Sequence, residues 1–394
     1  MMMKTISLSL FLTLTLLPSF MLGLSTYNVV SLGAKPDGKT DSTKAFLKAW
    51  NKACRSLGKP TILVPKGRYL IQNAIKFDGS KCTSVGIHIN VKGTIVAPPD
   101  FRALKDSHTW LSFESVSGVT LSGGKFDGKG VGLWNCKMYG KGGCPKGATN
   151  LAFTKSKNIE IRGLTSLNSQ LYHIVINGCN NVKLRSVKVL ASGESPNTDG
   201  IHVQNSNDVT ILNSKISSGD DCVSVGAGTT ALWIENVICG PGHGISIGSL
   251  AKEMNEPGVQ NMTVKDVTFV GTQNGVRIKS WGRPSHGFVK NVIFQHCTMI
   301  NVQNPIIIDQ NYCPNMEGCP GKVSGVKISD ITYQDIHGSS ATEVAVKFDC
   351  SSKHSCKNII LDDVKLTYKN QPAIASCAHA DGSTHGLVVP KSCL

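Results

Sequence analysis

The chain of 394 residues is longer than an ordinary single globular domain and carries a formal net charge of +15. Its basic residues are scattered and match no nucleic-acid-binding motif, so the charge points to another kind of anionic partner. Fourteen cysteines without a CxxC spacing argue against metal binding and for disulfides formed in an oxidising compartment, and no metal or cofactor is expected.

Residues 1–25, MMMKTISLSLFLTLTLLPSFMLGLS, place one lysine before an apolar run of signal-peptide length. Pro18 breaks the run, no stop-transfer flank follows, and Gly23 and Ser25 form a small-x-small cleavage signature. These features favour an export signal over a membrane anchor, with the mature chain starting near Thr26. Residues 26–394, 369 in number (394 less 25), are then expected to form one exported domain, monomeric and free of the membrane. For such a chain an acidic polysaccharide fits the charge better than nucleic acid does. One N-glycosylation sequon, at Asn261, is compatible with export.

The stretch DSTKAFLKAWNKACRSLG opens on an Asp41/Ser42 cap and spaces Ala45, Phe46, Ala49, Trp50 and Ala53 as one helical face. Downstream one phrase recurs: apolar, any, apolar, two of anything, apolar. It occurs around Ile161, Leu184, Ile234, Val264, Ile328 and Leu361, with looser copies around Leu121, Ile211 and Val289. From Ile161 to Val289 the central residues step by 23, 27, 23, 30 and 25, and asparagine often precedes the phrase. Units this short and this rich in Val, Ile and Thr leave no room for a βαβ crossover. Hairpin dipeptides are too scarce for a β-sandwich. The period is that of a solenoid, and a right-handed parallel β-helix with a short amino-terminal capping helix is the expected fold. WNCKMYGKGGCPKG and NYCPNMEGCPGK read as loop excursions, each stapled by a disulfide. Cys136–Cys144, Cys222–Cys239, Cys350–Cys356 and Cys377–Cys393 are the local pairings expected.

Four polar features fall on this period. Asp199 in NTDG lies 21 and 22 residues before the adjacent pair Asp220 and Asp221, and His243 in GHG lies 23 after Asp220. Arg277 and Lys279 in RIK follow His243 by 34 and 36, one coil plus a loop. Alone, each has an ordinary reading: a turn, a solvated loop, a tolerated histidine, an exposed strand. In register on stacked coils about 4.8 Å apart, the carboxylates and His243 form a column with two cations beside it. Strict strand alternation would set Asp220 and Asp221 on opposite faces, so a joint role needs an irregular backbone, for which Gly219 offers the freedom.

NTD, GDD, GHG and RIK, in this order and spacing, resemble the signature motifs of the polygalacturonases, the pectin-cleaving glycoside hydrolases. The likeness extends from YNVVSLGAKPDGKTDST to the last cysteines and is strongest to plant pollen-type exopolygalacturonases. It implies a right-handed parallel β-helix that hydrolyses α-1,4 bonds of homogalacturonan with inversion, in plant cell wall modification. Carried across, it implies Asp220 as general acid, Asp199 and Asp221 as the carboxylates that activate water, and His243 as their partner. It further implies Arg277, Lys279, Asn197 and Tyr312 as substrate-binding residues, and exo action with endo action as the alternative.

The residues support those roles independently. Glycoside hydrolysis needs one protonated and one ionised carboxyl group, and crowding three carboxylates raises the pKa of one. A polyanionic substrate needs cations, and arginine offers a fork to a carboxylate. The column sets the carboxylates closer than the usual inverting separation, so inversion follows from the resemblance and not from geometry. A pectate lyase, a non-catalytic pectin-binding protein and a rhamnogalacturonan hydrolase are the rival readings; a lyase would need several acidic residues around calcium, and these acids sit in the hydrolase pattern.

Overall fold

The computed structural model describes residues 25–394 apart from Asp106 and Lys141, so the segment read as an export signal lies outside the described residues. The chain winds into a right-handed parallel β-helix with one sheet of 18 strands and one of 11. Pairing between consecutive coils is parallel, with one short antiparallel contact between Cys356–Tyr368 and Gln371–Pro372.

The apolar phrase makes the core. Ile161, Leu184, Ile211, Ile234 and Val264 pair strand to strand in the larger sheet, and every one is buried. Each such side chain contributes roughly 1.5–3 kcal/mol on leaving water, and only the next coil can cover it. The phrase then departs from the expected frame. Val264 pairs with Phe294, not Val289, so this step is 30 residues (264 to 294), and Phe294 pairs with Tyr333, not Ile328. The physical reason is that Val289, Val292, Val326, Ile328 and Ile331 are buried too. Long strands with additional inward positions fit the spacing in two frames.

The asparagines before the phrase hold the turns. Asn158, Asn181, Asn261 and Asn358 have φ of 53–56°, a left-handed conformation that asparagine tolerates better than most residues. Their amides bond from coil to coil: Asn181 Nδ2 donates to Asn158 Oδ1 at 2.8 Å, and Asn291 Nδ2 to Asn261 Oδ1 at 3.2 Å.

Helix α1 (Thr43–Cys54) covers the amino-terminal end as expected, burying Ala45, Phe46, Ala49, Trp50 and Ala53. Its cap is Asp41, whose carboxylate accepts from Thr43 N at 2.9 Å, while the Ser42 side chain makes no capping bond. Trp50 meets Phe77 and Phe113, which begin a stack continued by Phe153 at 4.7 Å centroid spacings. The first excursion contains a helix that its composition did not announce, α2 (Val131–Tyr139). All four expected local disulfides form, as does Cys313–Cys319 in the second excursion. Cys54–Cys82, 28 residues apart, ties α1 to the coil. No helix among the described residues is long and apolar enough to cross a membrane.

Candidate active site

The smaller sheet builds the site. Ile201, Val223 and Ile245 are register partners on successive strands, and Asp199, Asp221 and His243 each lie two residues before them. These three therefore share one position on three stacked coils, as the spacing predicts. Asp220 sits one residue earlier, in a bend between the strands Asn207–Ser217 and Val223–Val225. The two aspartates are freed from strand alternation there. Gly219 contributes differently from the expectation, because it has no positive φ; a Cβ on it would lie 2.1 Å from Ser195 O. Close packing, not backbone freedom, requires glycine at 219.

Two electrostatic environments result. Asp221 is 1% exposed and accepts from Ser246 Oγ at 2.7 Å, Arg277 Nη2 at 2.7 Å and Lys279 Nζ at 2.8 Å. Burial alone would raise its pKa, but Lys279 and Arg277 outweigh burial and hold it down to about 2. Asp199 is also buried but lacks such a pair. Burial first, then the charges of Asp220 and Asp221, raise it well above the ordinary carboxylate range. The two buried aspartates are thus shifted in opposite directions, Asp199 upward and Asp221 downward.

Asp220 faces the solvent side. Its Oδ1 lies 3.1 Å from His243 Nδ1 and accepts from Asp221 N at 2.8 Å, while Asn197 Nδ2 reaches its Oδ2 at 3.4 Å. The backbone repeats the contact, with His243 N donating to Asp220 O at 2.8 Å. Asp220, Asp221 and His243 offer ligand atoms within 4.8 Å of one another. Both Asp221 oxygens already face Arg277 or Lys279, however, and those cations oppose a metal ion there. Tyr312 lies further along the same floor, its ring 5.2 Å from Lys279 Nζ and 5.4 Å from Trp281. All eight expected site residues thus gather on neighbouring coils.

Other members of the site were not anticipated. His202, Ser224, Ser246 and Arg277 are register neighbours along the outer face of the sheet. Ser246 joins Asp221 to Arg277, whose Nε donates to Ser246 Oγ at 2.9 Å. His202 bonds Ser224 at 2.8 Å and stacks on Tyr172 at 5.2 Å. The recurring triplets IHV, VSV, ISI and VRI carry this signal, since the middle residue of each faces outward. The first excursion is tied to the coil that carries Tyr172, with Trp134 Nε1 donating to Ser169 O at 3.0 Å, three residues before Tyr172.

Comparison with known proteins places this geometry in context. Residues 54–392 match the family described as glycosyl hydrolases family 28. The chain is 63% identical over 369 residues to a polygalacturonase of Prunus persica, covering 94% of this chain and 93% of that protein. It is 41% identical to an exopolygalacturonase of Platanus acerifolia, covering 93% and 97% of the two chains. Among solved structures, a polygalacturonase from Erwinia carotovora superposes with a TM-score of 0.72 at 24% identity, over 92% of this chain and 96% of that one.

Proposed function

The chain belongs to the family 28 glycosyl hydrolases, and from that membership we propose that it is a polygalacturonase, cleaving α-1,4 bonds between galacturonate units of pectin by an inverting acid/base mechanism. The observation that carries the reading is the stacked column of Asp199, Asp221 and His243, with Asp220 and two buried cations beside it. Asp220 is the general acid: it is the carboxyl group nearest solvent, and its bond to His243 orients it toward the leaving oxygen. Asp221, held ionised, is the carboxylate beside the attacking water, and Asp199, whose pKa burial raises, helps position that water.

Arg277 and Lys279 bind a galacturonate carboxylate, with Asn197 and Tyr312 as further contacts. At rest both cations pair with Asp221. A substrate carboxylate drawn to the same cations weakens their hold and raises the affinity of Asp221 for a proton, where water must be deprotonated. Exo action is proposed over endo action. The helical excursion, bonded through Trp134 to Ser169, supports a cleft closed on that side. Export to the cell wall is proposed too, supported by the apolar leader, the six disulfides and the exposed sequon at Asn261.

Incubation with de-esterified polygalacturonate tests the reading. New reducing ends without ultraviolet-absorbing unsaturated products are expected, and unsaturated products refute hydrolysis. Only monomer at early times marks exo action; a ladder of oligomers overturns it.

A further inference from the structure

Two routes lead away from Arg277 and Lys279, and they differ in charge. Along the helix axis the next coils set Asp309 and then Asp349 in register with Lys279. Burial first, and the neighbouring Asp349, raise the pKa of Asp309, so this floor already resists negative charge. Along the strand, Lys279 is followed by Trp281, over whose ring Arg283 lies at 5.2 Å. Arg283 O then accepts from Gly325 N at 2.9 Å, and Gly325 lines a groove of about 530 Å³.

This groove is formed by loops that leave the smaller sheet and by Lys327, which begins the strand Lys327–Ser340 of the larger one. His286, Lys327, Lys353 and His354 line it, and a second hollow of about 430 Å³ shares three of them and adds Lys357. Among the described residues no carboxylate lines either one. Burial, then Lys353 and Lys327, depress the pKa of His354, which registers the crowding of positive charge. Nothing in the catalytic reading uses these residues.

We propose that the groove is a second binding site for the acidic polysaccharide, taking a stretch of chain led sideways from Lys279 across Arg283 and not onward over Asp309 and Asp349. The path carries Arg283 and then Lys327 and Lys353, and a cation-lined concavity concentrates a polymer with a carboxylate on each sugar. The substrate class rests on the proposed function; the site itself does not depend on turnover.

Binding separates the two. Calorimetric titrations use long de-esterified oligogalacturonate and trigalacturonate, in an Asp220→Asn background that preserves the ligands. Adding Lys327→Glu and Lys353→Glu is expected to weaken the long chain roughly tenfold and leave the trimer unchanged. The neutral pair Lys327→Gln and Lys353→Gln is expected to give a smaller loss in the same direction, and salt to narrow the gap between long chain and trimer. Unchanged long-chain affinity, or equal losses for both ligands, overturns the proposal. Lysine-dependent binding by a parent enzyme that hydrolyses nothing upholds the groove and refutes the hydrolase instead.

Discussion

Replacing Asp221 with asparagine tests the electrostatic centre of the site. The side chain is buried and accepts three bonds, two of them from Arg277 and Lys279, which are themselves 8% and 6% exposed. Asparagine leaves both cations buried without a counter-charge, a loss of roughly 3–5 kcal/mol. Acid linkage provides a second scale. A carboxyl group moved from 3.8 to about 2 contributes roughly 2 kcal/mol to stability at neutral pH. Because the folded value lies below the unfolded one, that stability is present above about pH 3.8 and is lost as pH falls through about 2. Urea unfolding followed by circular dichroism is therefore expected to show Asp221→Asn less stable by about 2–5 kcal/mol at pH 7. The deficit should narrow as acid protonates Asp221 in the parent. A deficit below about 1 kcal/mol, the scale of an exposed pair, or one independent of pH, refutes the reasoning.

Asp199 carries the opposite sign. Its folded pKa is raised, so the stability it contributes is complete below the unfolded carboxylate value and is lost as pH rises through the folded one. Asp199→Asn should therefore be more stable than the parent at neutral pH, with the advantage fading in acid; a destabilised variant at pH 7 in the same urea assay contradicts this. The Cys222–Cys239 disulfide closes 17 residues beside the aspartate pair, and the double serine variant should lose about 3 kcal/mol by chain entropy. Unchanged unfolding midpoints in the double variant refute that estimate.

Much of this architecture was legible because a solenoid repeats its physics locally. Ile161, Leu184, Ile211, Ile234 and Val264 each need the next coil, so their spacing reports the register directly. The same logic failed at Val289 and Ile328, where neighbouring inward positions satisfy the phrase as well as Phe294 and Tyr333 do. Helix α2 escaped notice because it is short and buries only Leu133 and Trp134, too few to mark a face. Cys54–Cys82 joins a helix to a coil that no local spacing connects.

In the site, charged residues stood out and their supports did not. Asp199, Asp220, Asp221, His243, Arg277 and Lys279 fell on the repeat period, whereas Ser246 between two isoleucines reads as an ordinary strand residue. Its bonds to Asp221 and Arg277 emerge only when two coils are stacked. The contrast between the two buried aspartates was equally hidden. Spacing says that the carboxylates crowd, but only the burial of Asp199 and the cations on Asp221 shift these two in opposite directions.

Proton donation by Asp220 is the central claim, and its removal is the most direct test. Asp220→Asn should fold like the parent by circular dichroism and release reducing ends from polygalacturonate roughly 10²- to 10⁴-fold more slowly, the loss expected for a general acid. A folded Asp220→Asn enzyme with the parent's rate contradicts the account.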